Sequence, residues 1–312
     1  MAARPESCTA PVAAMLAERT TSLPGALILL SKPGIVLAET AAGFAGILLA
    51  CNGRVQAATT LFWALAVLVM AASGSAMGNC VLDAEADQWM PRLASRNQAL
   101  AAVGKGRVLA FSLLLTGAAL TLSALFLNNL ALLLLLAAIC SYLFLYTIWL
   151  KPRSHWGVLA GAIPGALPPL IGAAAVTGSV PALPLLLAAF IFIWQIPHFL
   201  FLALLYRDQY RQAGVPVLPL TRGEPFTKAL ALTAALLLLP LSLLFALSGV
   251  LSPGYLTLAC IAWGFFMLTS IRCLYQTNAY RSGFIASTLY LLTLIAAICA
   301  GSVPELASFK CW

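Results

Sequence analysis

Nine apolar runs, each long enough to cross a bilayer, recur along this chain at about 26–50, 60–82, 108–127, 129–149, 156–177, 182–205, 228–249, 255–275 and 282–303. A helix rises about 1.5 Å per residue, so roughly 20 apolar residues span the ~30 Å hydrocarbon layer. Inside that layer each backbone N–H and C=O must find an internal partner, which makes the α-helix the element for every run. Of the 312 residues, 62% are hydrophobic and 8% charged; soluble domains run nearer ~45–50% and ~25%. The chain lacks the polar surface needed to fold in water. Its expected fold class is all-α: a polytopic membrane bundle of nine transmembrane helices.

Charge placement sets the expected orientation. With nine spans, 15 of the 17 Lys and Arg residues fall on one side, and only Arg54 and Lys310 fall on the other. The positive-inside rule then puts the N-terminus and the basic loops in the cytosol and the C-terminus on the opposite side of a bacterial-type inner membrane. An added or missing span would scramble that partition. The same cations form no basic run or basic helix, so membrane lipid, and no nucleic acid, is the expected partner. Residues 1–22 lack the apolar core of a signal peptide and read as a disordered cytosolic tail. Residues 23–305 form one transmembrane domain, and 306–312 a short C-terminal tail. Tight turns are expected at Asn128-Asn129 and at Ser252-Pro253-Gly254. The eight cysteines contain no C-x-x-C pair and mostly lie in apolar runs, so they read as small buried hydrophobes.

Acidic residues are scarce, nine in all, yet Asp83, Glu85 and Asp87 fall within five residues at the cytosolic end of the second span. On a helix, Asn79, Asp83 and Asp87 stack on one face, while Glu85 points elsewhere. Like charges four residues apart repel, and a helix C-terminus disfavours carboxylates. A solvated helix end would tolerate this; otherwise a positive partner must offset it, either the basic loop or a bound cation. Oxygen ligands suit Mg²⁺, which takes one or two carboxylates and completes its shell with water and phosphate. Asp208 ends the sixth span at the same depth. Arg92, Arg96, Lys151, Arg153, Arg207 and Arg211 flank the two acidic ends; guanidinium forks and ammonium groups suit phosphate oxygens, although each also serves as an orientation charge. Acids for a metal beside bases for phosphate suggest a metal–diphosphate site.

Three features lie within the spans. Glu39 falls mid-span, where a carboxylate needs a cavity, a partner or a proton; Lys32 precedes it by seven residues, two turns along the same face. The fifth span, Gly161 to Gly172, carries three prolines and three glycines. Irregular backbone is tolerated only against protein or a cavity, so this span is expected to wall a substrate cavity, with close helix packing as the alternative. In the sixth span, Trp194-Gln195-Ile196-Pro197-His198 places an imidazole suited to haem iron, proton transfer or a structural hydrogen bond.

These blocks together resemble the protohaem IX farnesyltransferases, or haem O synthases, among the membrane prenyltransferases. The likeness runs from Lys32 to about Gly223. It rests on Lys32-Pro33-Gly34; on Asn79, Asp83, Asp87, Met90, Arg92 and Arg96; on Tyr146 and Lys151; on Gly165 to Gly178; and on Trp194 to His198 and Ala213 to Pro219. The chain departs from the family at Ala84 (usually Arg), Glu85 (usually Asp) and Glu39 (often Asn). An acid often directly precedes the tyrosine equivalent to Tyr210; here Gln209 stands there and Asp208 one residue earlier.

The resemblance implies nine helices around a central cavity opening near the cytosolic face. It implies farnesyl transfer from farnesyl diphosphate to a vinyl group of haem B, with Asp83, Asp87 and Asp208 catalytic. Asn79, Asp83, Asp87 and Asp208 would hold Mg²⁺, the cofactor. Asn79, Arg92, Arg96, Lys151, Arg207 and Lys32 would bind diphosphate, and His198 and Trp194 would contact haem. Tyr146, Tyr210 and Glu39 are further candidates; Tyr142, Tyr146 and Trp194 read first as core packing and otherwise offer rings to an allylic cation. Water would quench the cation formed on the vinyl group, and the product would pass to a haem-oxidising enzyme or a terminal oxidase assembly. Two alternatives stand beside this reading: another aromatic or tetrapyrrole acceptor, and an ion-coupled transporter using Glu39 and the acidic cluster.

Overall fold

The computed structural model describes residues 22–52, 58–251 and 253–302. The expected tails, Arg54, Lys310 and Ser252 of the second turn lie outside the described residues. Those residues form helices without strands: α1 (Leu23–Leu30), α2 (Pro33–Ala50), α3 (Ala58–Leu82), α4 (Ala84–Asp87), α5 (Ala94–Val103), α6 (Lys105–Phe126), α7 (Asn129–Cys140) running on as a π-helix (Ser141–Leu150), α8 (Gly157–Ala166), α9 (Pro168–Thr177), α10 (Ala182–Leu205), α11 (Arg207–Gln212), α12 (Leu218–Thr221), α13 (Gly223–Leu247), α14 (Pro253–Tyr275) and α15 (Tyr280–Gly301).

Among the described residues nine units are long and apolar enough to cross a membrane: α2, α3, α6, α7 with its π-helix, α8 with α9, α10, α13, α14 and α15. The protein is an integral, multi-pass membrane protein. Sequential spans are spatial neighbours, and the ring closes where α15 meets α2. Many large side chains, including Leu37, Leu113, Leu114, Leu247 and Leu268, stay exposed on the outside, which is stable only where lipid replaces water.

Local sequence explains the breaks. The first run does not form one helix. Pro33 starts α2, and Lys32 before it adopts a left-handed backbone, φ 56°. Lys32 and Glu39 therefore do not share one continuous helix face. The fifth span breaks at Leu167, between α8 with its internal Pro164 and α9 beginning at Pro168. Prolines remove ladder donors, and a break of this kind is stable where protein surrounds it. Gly46 lets α2 reach the α9 backbone here: a Cβ on it would overlap the Pro169 backbone. Asn128 caps α7, its side chain accepting from Ala131 N–H at 3.0 Å and donating to the Ala174 carbonyl of α9 at 2.6 Å. The expected turn at 128–129 thus doubles as a tie between spans.

A candidate active site

A chamber of about 250 Å³ opens at the end of the bundle where α3 finishes and α8 begins; α2, α3, α7 with its π-helix, α8–α9 and α10 line it. Its deeper wall is apolar, with Leu68, Ala71, Leu135, Ile139, Pro168 and Ile171. Its mouth is charged, carrying Lys32, Asp83, Asp87, Arg92, Arg96 and Lys151.

The acidic stack forms as its spacing requires. The Asp83 N–H bonds the Asn79 carbonyl at 2.9 Å, and the Asp87 N–H bonds the Asp83 carbonyl at 2.8 Å. The helical path is kept from α3 through α4, so Asn79, Asp83 and Asp87 face the chamber, all buried, and Glu85 is exposed. Asn79 donates to Asp83 Oδ2 at 2.8 Å and to Thr147 Oγ1 at 2.9 Å, while its Oδ1 accepts from Lys32 Nζ at 2.5 Å. Lys151 Nζ pairs with Asp83 Oδ2 at 2.5 Å, their side chains 16% and 9% exposed. Arg96 lies 3.3 Å from Asp87 Oδ2.

These environments change the proton affinities. Burial pushes the Lys32 ammonium down to about 8 and raises the Asp87 carboxyl, with Lys151 and Arg96 pulling the other way. Burial disfavours charge on Lys151 too, but Tyr146 and Asp83 outweigh it and hold Lys151 above the ordinary lysine range.

The π-helix delivers Lys151 to this cluster. In an α-helix, at about 100° per residue, the nine-residue step from Tyr142 to Lys151 would leave them on opposite faces. The wider π turn, at roughly 80° per residue, brings them back to one face. Its ladder shows in the Lys151 N–H bond to the Tyr146 carbonyl at 2.8 Å. Tyr142 and Tyr146 stack with centroids 6.0 Å apart and 13° between planes, and both line the chamber. Gly161 of α8 makes room for them: a Cβ on it would meet the Tyr146 ring at 3.1 Å.

Arg92 joins the second cluster to the first. It donates to the Tyr210 hydroxyl at 2.9 Å and lies over the Tyr206 and Tyr210 rings, 4.6 and 5.3 Å from their centroids. Tyr210 reaches the chamber wall. Asp208 and Arg207 do not, contrary to expectation. The i to i+4 bonds pass through Tyr206 into α11, so Tyr206 and Tyr210 share the face that meets Arg92; Asp208, two residues from each, points the opposite way, 80% exposed, into an ion pair with Arg211 at 2.6 Å, and Arg207 is held by Glu224 at 2.6 Å.

His198 and Trp194 also lie off the chamber. Gln195, Phe199 and Leu202 form the α10 stripe that faces it, a spacing that leaves residues 194 and 198 on a neighbouring face. There His198 is stacked between Trp194 and Phe284, with centroids 4.6 and 4.4 Å away. His198 Nδ1 shares a hydrogen bond with Ser287 Oγ at 2.9 Å, and Trp194 donates to the Ser287 carbonyl at 2.6 Å. Glu39 does line the chamber, and the broken fifth span does wall it. Sequence reasoning missed Thr147; the only signal was a hydroxyl in an apolar run four residues before a lysine.

Among the described residues no three His, Cys, Asp or Glu side chains converge as a metal cluster. The donor set that does converge, two carboxylates and one amide oxygen, fits a hard cation that completes its shell with water and phosphate.

The UbiA prenyltransferase family model matches residues 40–291. A protoheme IX farnesyltransferase from Geotalea uraniireducens is 45% identical over 235 residues, covering 75% of this chain and 90% of that protein. One from Bordetella pertussis is 35% identical over 288 residues, covering 91% and 96%. A solved digeranylgeranylglyceryl phosphate synthase superposes with TM-score 0.74 at 17% identity, covering 90% of this chain and 99% of its own. A UbiA homologue from Archaeoglobus fulgidus bound to GPP and Mg²⁺ gives 0.61 at 12% identity, covering 88% and 99%. At those identities the solved structures speak for the fold alone. With a family match across most of its length and relatives aligned nearly end to end, the chain belongs to the UbiA prenyltransferase family.

Proposed function

We propose that the protein transfers a farnesyl group from farnesyl diphosphate to a vinyl group of protohaem IX, forming haem O, with Mg²⁺ as cofactor. The observation that carries this reading is the stack of Asn79, Asp83 and Asp87 at the mouth of a chamber whose deeper wall is largely apolar, ringed by Lys32, Arg92, Arg96 and Lys151. The choice of acceptor rests on the two relatives of that name.

Asn79, Asp83 and Asp87 would hold the ion. When bound, Mg²⁺ supplies neutralisation of the charge that builds on the departing diphosphate. Lys32, Arg92, Arg96 and Lys151 bind and orient the phosphate oxygens, their charge felt strongly in a half-dry mouth. Loss of diphosphate leaves an allylic cation beside the stacked rings of Tyr142 and Tyr146, whose faces attract it. The apolar wall holds the chain and excludes water from its reactive end.

The chamber, about 250 Å³, is smaller than the ~300–1,000 Å³ of ordinary ligand pockets. We therefore place the diphosphate and the reacting end of the prenyl chain inside, with most of the porphyrin in lipid. His198, outside the chamber, then serves as a haem contact only from the lipid side. The excess of cations at the chamber end supports a cytosolic mouth and N-terminus in the inner membrane.

The test is a membrane assay with farnesyl diphosphate and either haem B or para-hydroxybenzoate, with Mg²⁺ and with chelator. Farnesylated haem, identified by mass and lost with chelator, is the expected result. Product from the benzoate alone would refute the acceptor.

A further inference from the structure

Each oxygen-bearing group of the acidic stack already carries a cationic partner. Lys32 Nζ sits on Asn79 Oδ1 at 2.5 Å, Lys151 Nζ on Asp83 Oδ2 at 2.5 Å, and Arg96 on Asp87 Oδ2 at 3.3 Å. A divalent ion approaching this stack meets two ammonium groups on the oxygens it needs. They cannot simply leave, because an unpaired Asp83 carboxylate or Lys151 ammonium in that mouth would be a nearly buried lone charge.

Both lysines stand where the backbone changes its winding. Lys32 stands at the break between α1 and α2, in a left-handed backbone that a side-chain-bearing residue rarely adopts, and among the described residues its side chain makes one further hydrogen bond, 3.4 Å to the Tyr142 hydroxyl. Lys151 is the first residue past the π-helix. Each carries a flexible stem and a charge that pairs with any oxygen anion.

Resting on the diphosphate reading above, we propose that Lys32 and Lys151 are place-holders for the metal. They neutralise Asn79 and Asp83 until a prenyl diphosphate arrives. They then pass to the phosphate oxygens while the ion takes over the oxygens they release. Ion and diphosphate consequently bind as a pair: each removes the penalty that the other would meet alone. The coupling is reciprocal, as linkage requires.

The probe is Mn²⁺ alone, followed by loss of its free-ion paramagnetic signal, with the full chain in lipid nanodiscs. Wild type should bind weakly. Lys32→Met and Lys151→Met, which keep side-chain length and lose the competing charge, should each bind Mn²⁺ about fivefold or more tighter, and adding Asp83→Asn should remove that gain. The lysines lie on separate elements, so a folding failure of one variant leaves the other decisive. Both variants binding no tighter than wild type would overturn the proposal. A parallel titration with Mn²⁺ and farnesyl thiolodiphosphate separates the two readings. If the loaded pair does not bind wild type at all, the prenyl diphosphate assignment fails. If it binds and the lysine variants show no gain on metal alone, only the place-holder inference fails.

Discussion

Two acidic helix ends face the same side of this bundle, and they have opposite fates. At the end of α3, Asp83 and Asp87 turn inward, each paired with a cation. At the end of α10, Asp208 turns outward, 80% exposed, onto Arg211. The sequence context is alike: an apolar span, a carboxylate and nearby basic residues. The difference is helical register. Asp83 and Asp87 inherit the face set by Asn79, because the i to i+4 bonds run through α4. The same bonds run through Tyr206 into α11, so Leu202, Tyr206 and Tyr210 share a face, Tyr210 reaches the chamber, and Asp208 falls on the opposite side. A carboxylate in the mouth interacts through little water and strongly; an exposed one is screened.

The contrast predicts a ranking of effects. Asp83→Asn should lower kcat by roughly 10²–10³-fold while the protein still inserts and purifies as a single species; wild-type turnover would remove the reason for setting the two ends apart. Arg92→Ala comes next. It removes the guanidinium that ties the α4–α5 loop to Tyr206 and Tyr210, and should raise KM for farnesyl diphosphate about tenfold. Steady-state kinetics in nanodiscs distinguishes that from a kcat effect. Gly161→Ala pushes a methyl toward the Tyr146 ring and should lower activity by about threefold to tenfold through a misplaced ring, read as kcat with KM nearly constant. Asp208→Asn should change either constant by less than about twofold, since exposed ion pairs contribute little. A loss matching that of Asp83→Asn would mean that α11 folds over the mouth during turnover, and the comparison would need to be redrawn.

The same pairing of regions shows what residue patterns conceal. Proline and glycine in the fifth span announced an irregular wall, and Pro164 and Pro168 do line the chamber. Lys32 and Glu39 looked like neighbours on one helix face, yet the backbone reverses hand at Lys32. His198 suited haem iron, proton transfer or a structural hydrogen bond; its ring fills a stack between α10 and α15 and bonds Ser287. A histidine beside a proline is compatible with either face, and only the neighbour that packs against it decides.

What the sequence by itself determined was local: nine spans, because lipid demands about 20 apolar residues per crossing, and the Asn79–Asp83–Asp87 stack, because four-residue spacing lies within one turn of continuous helix. Tertiary structure decided the rest. It set the π winding that aims Lys151 at Asp83, the face of α10 and α11 that meets the chamber and so leaves Asp208 outward, and the face on which His198 packs. Each of those depends on which helix lies opposite, and the energy of fitting two surfaces together is not carried by either strand of sequence alone.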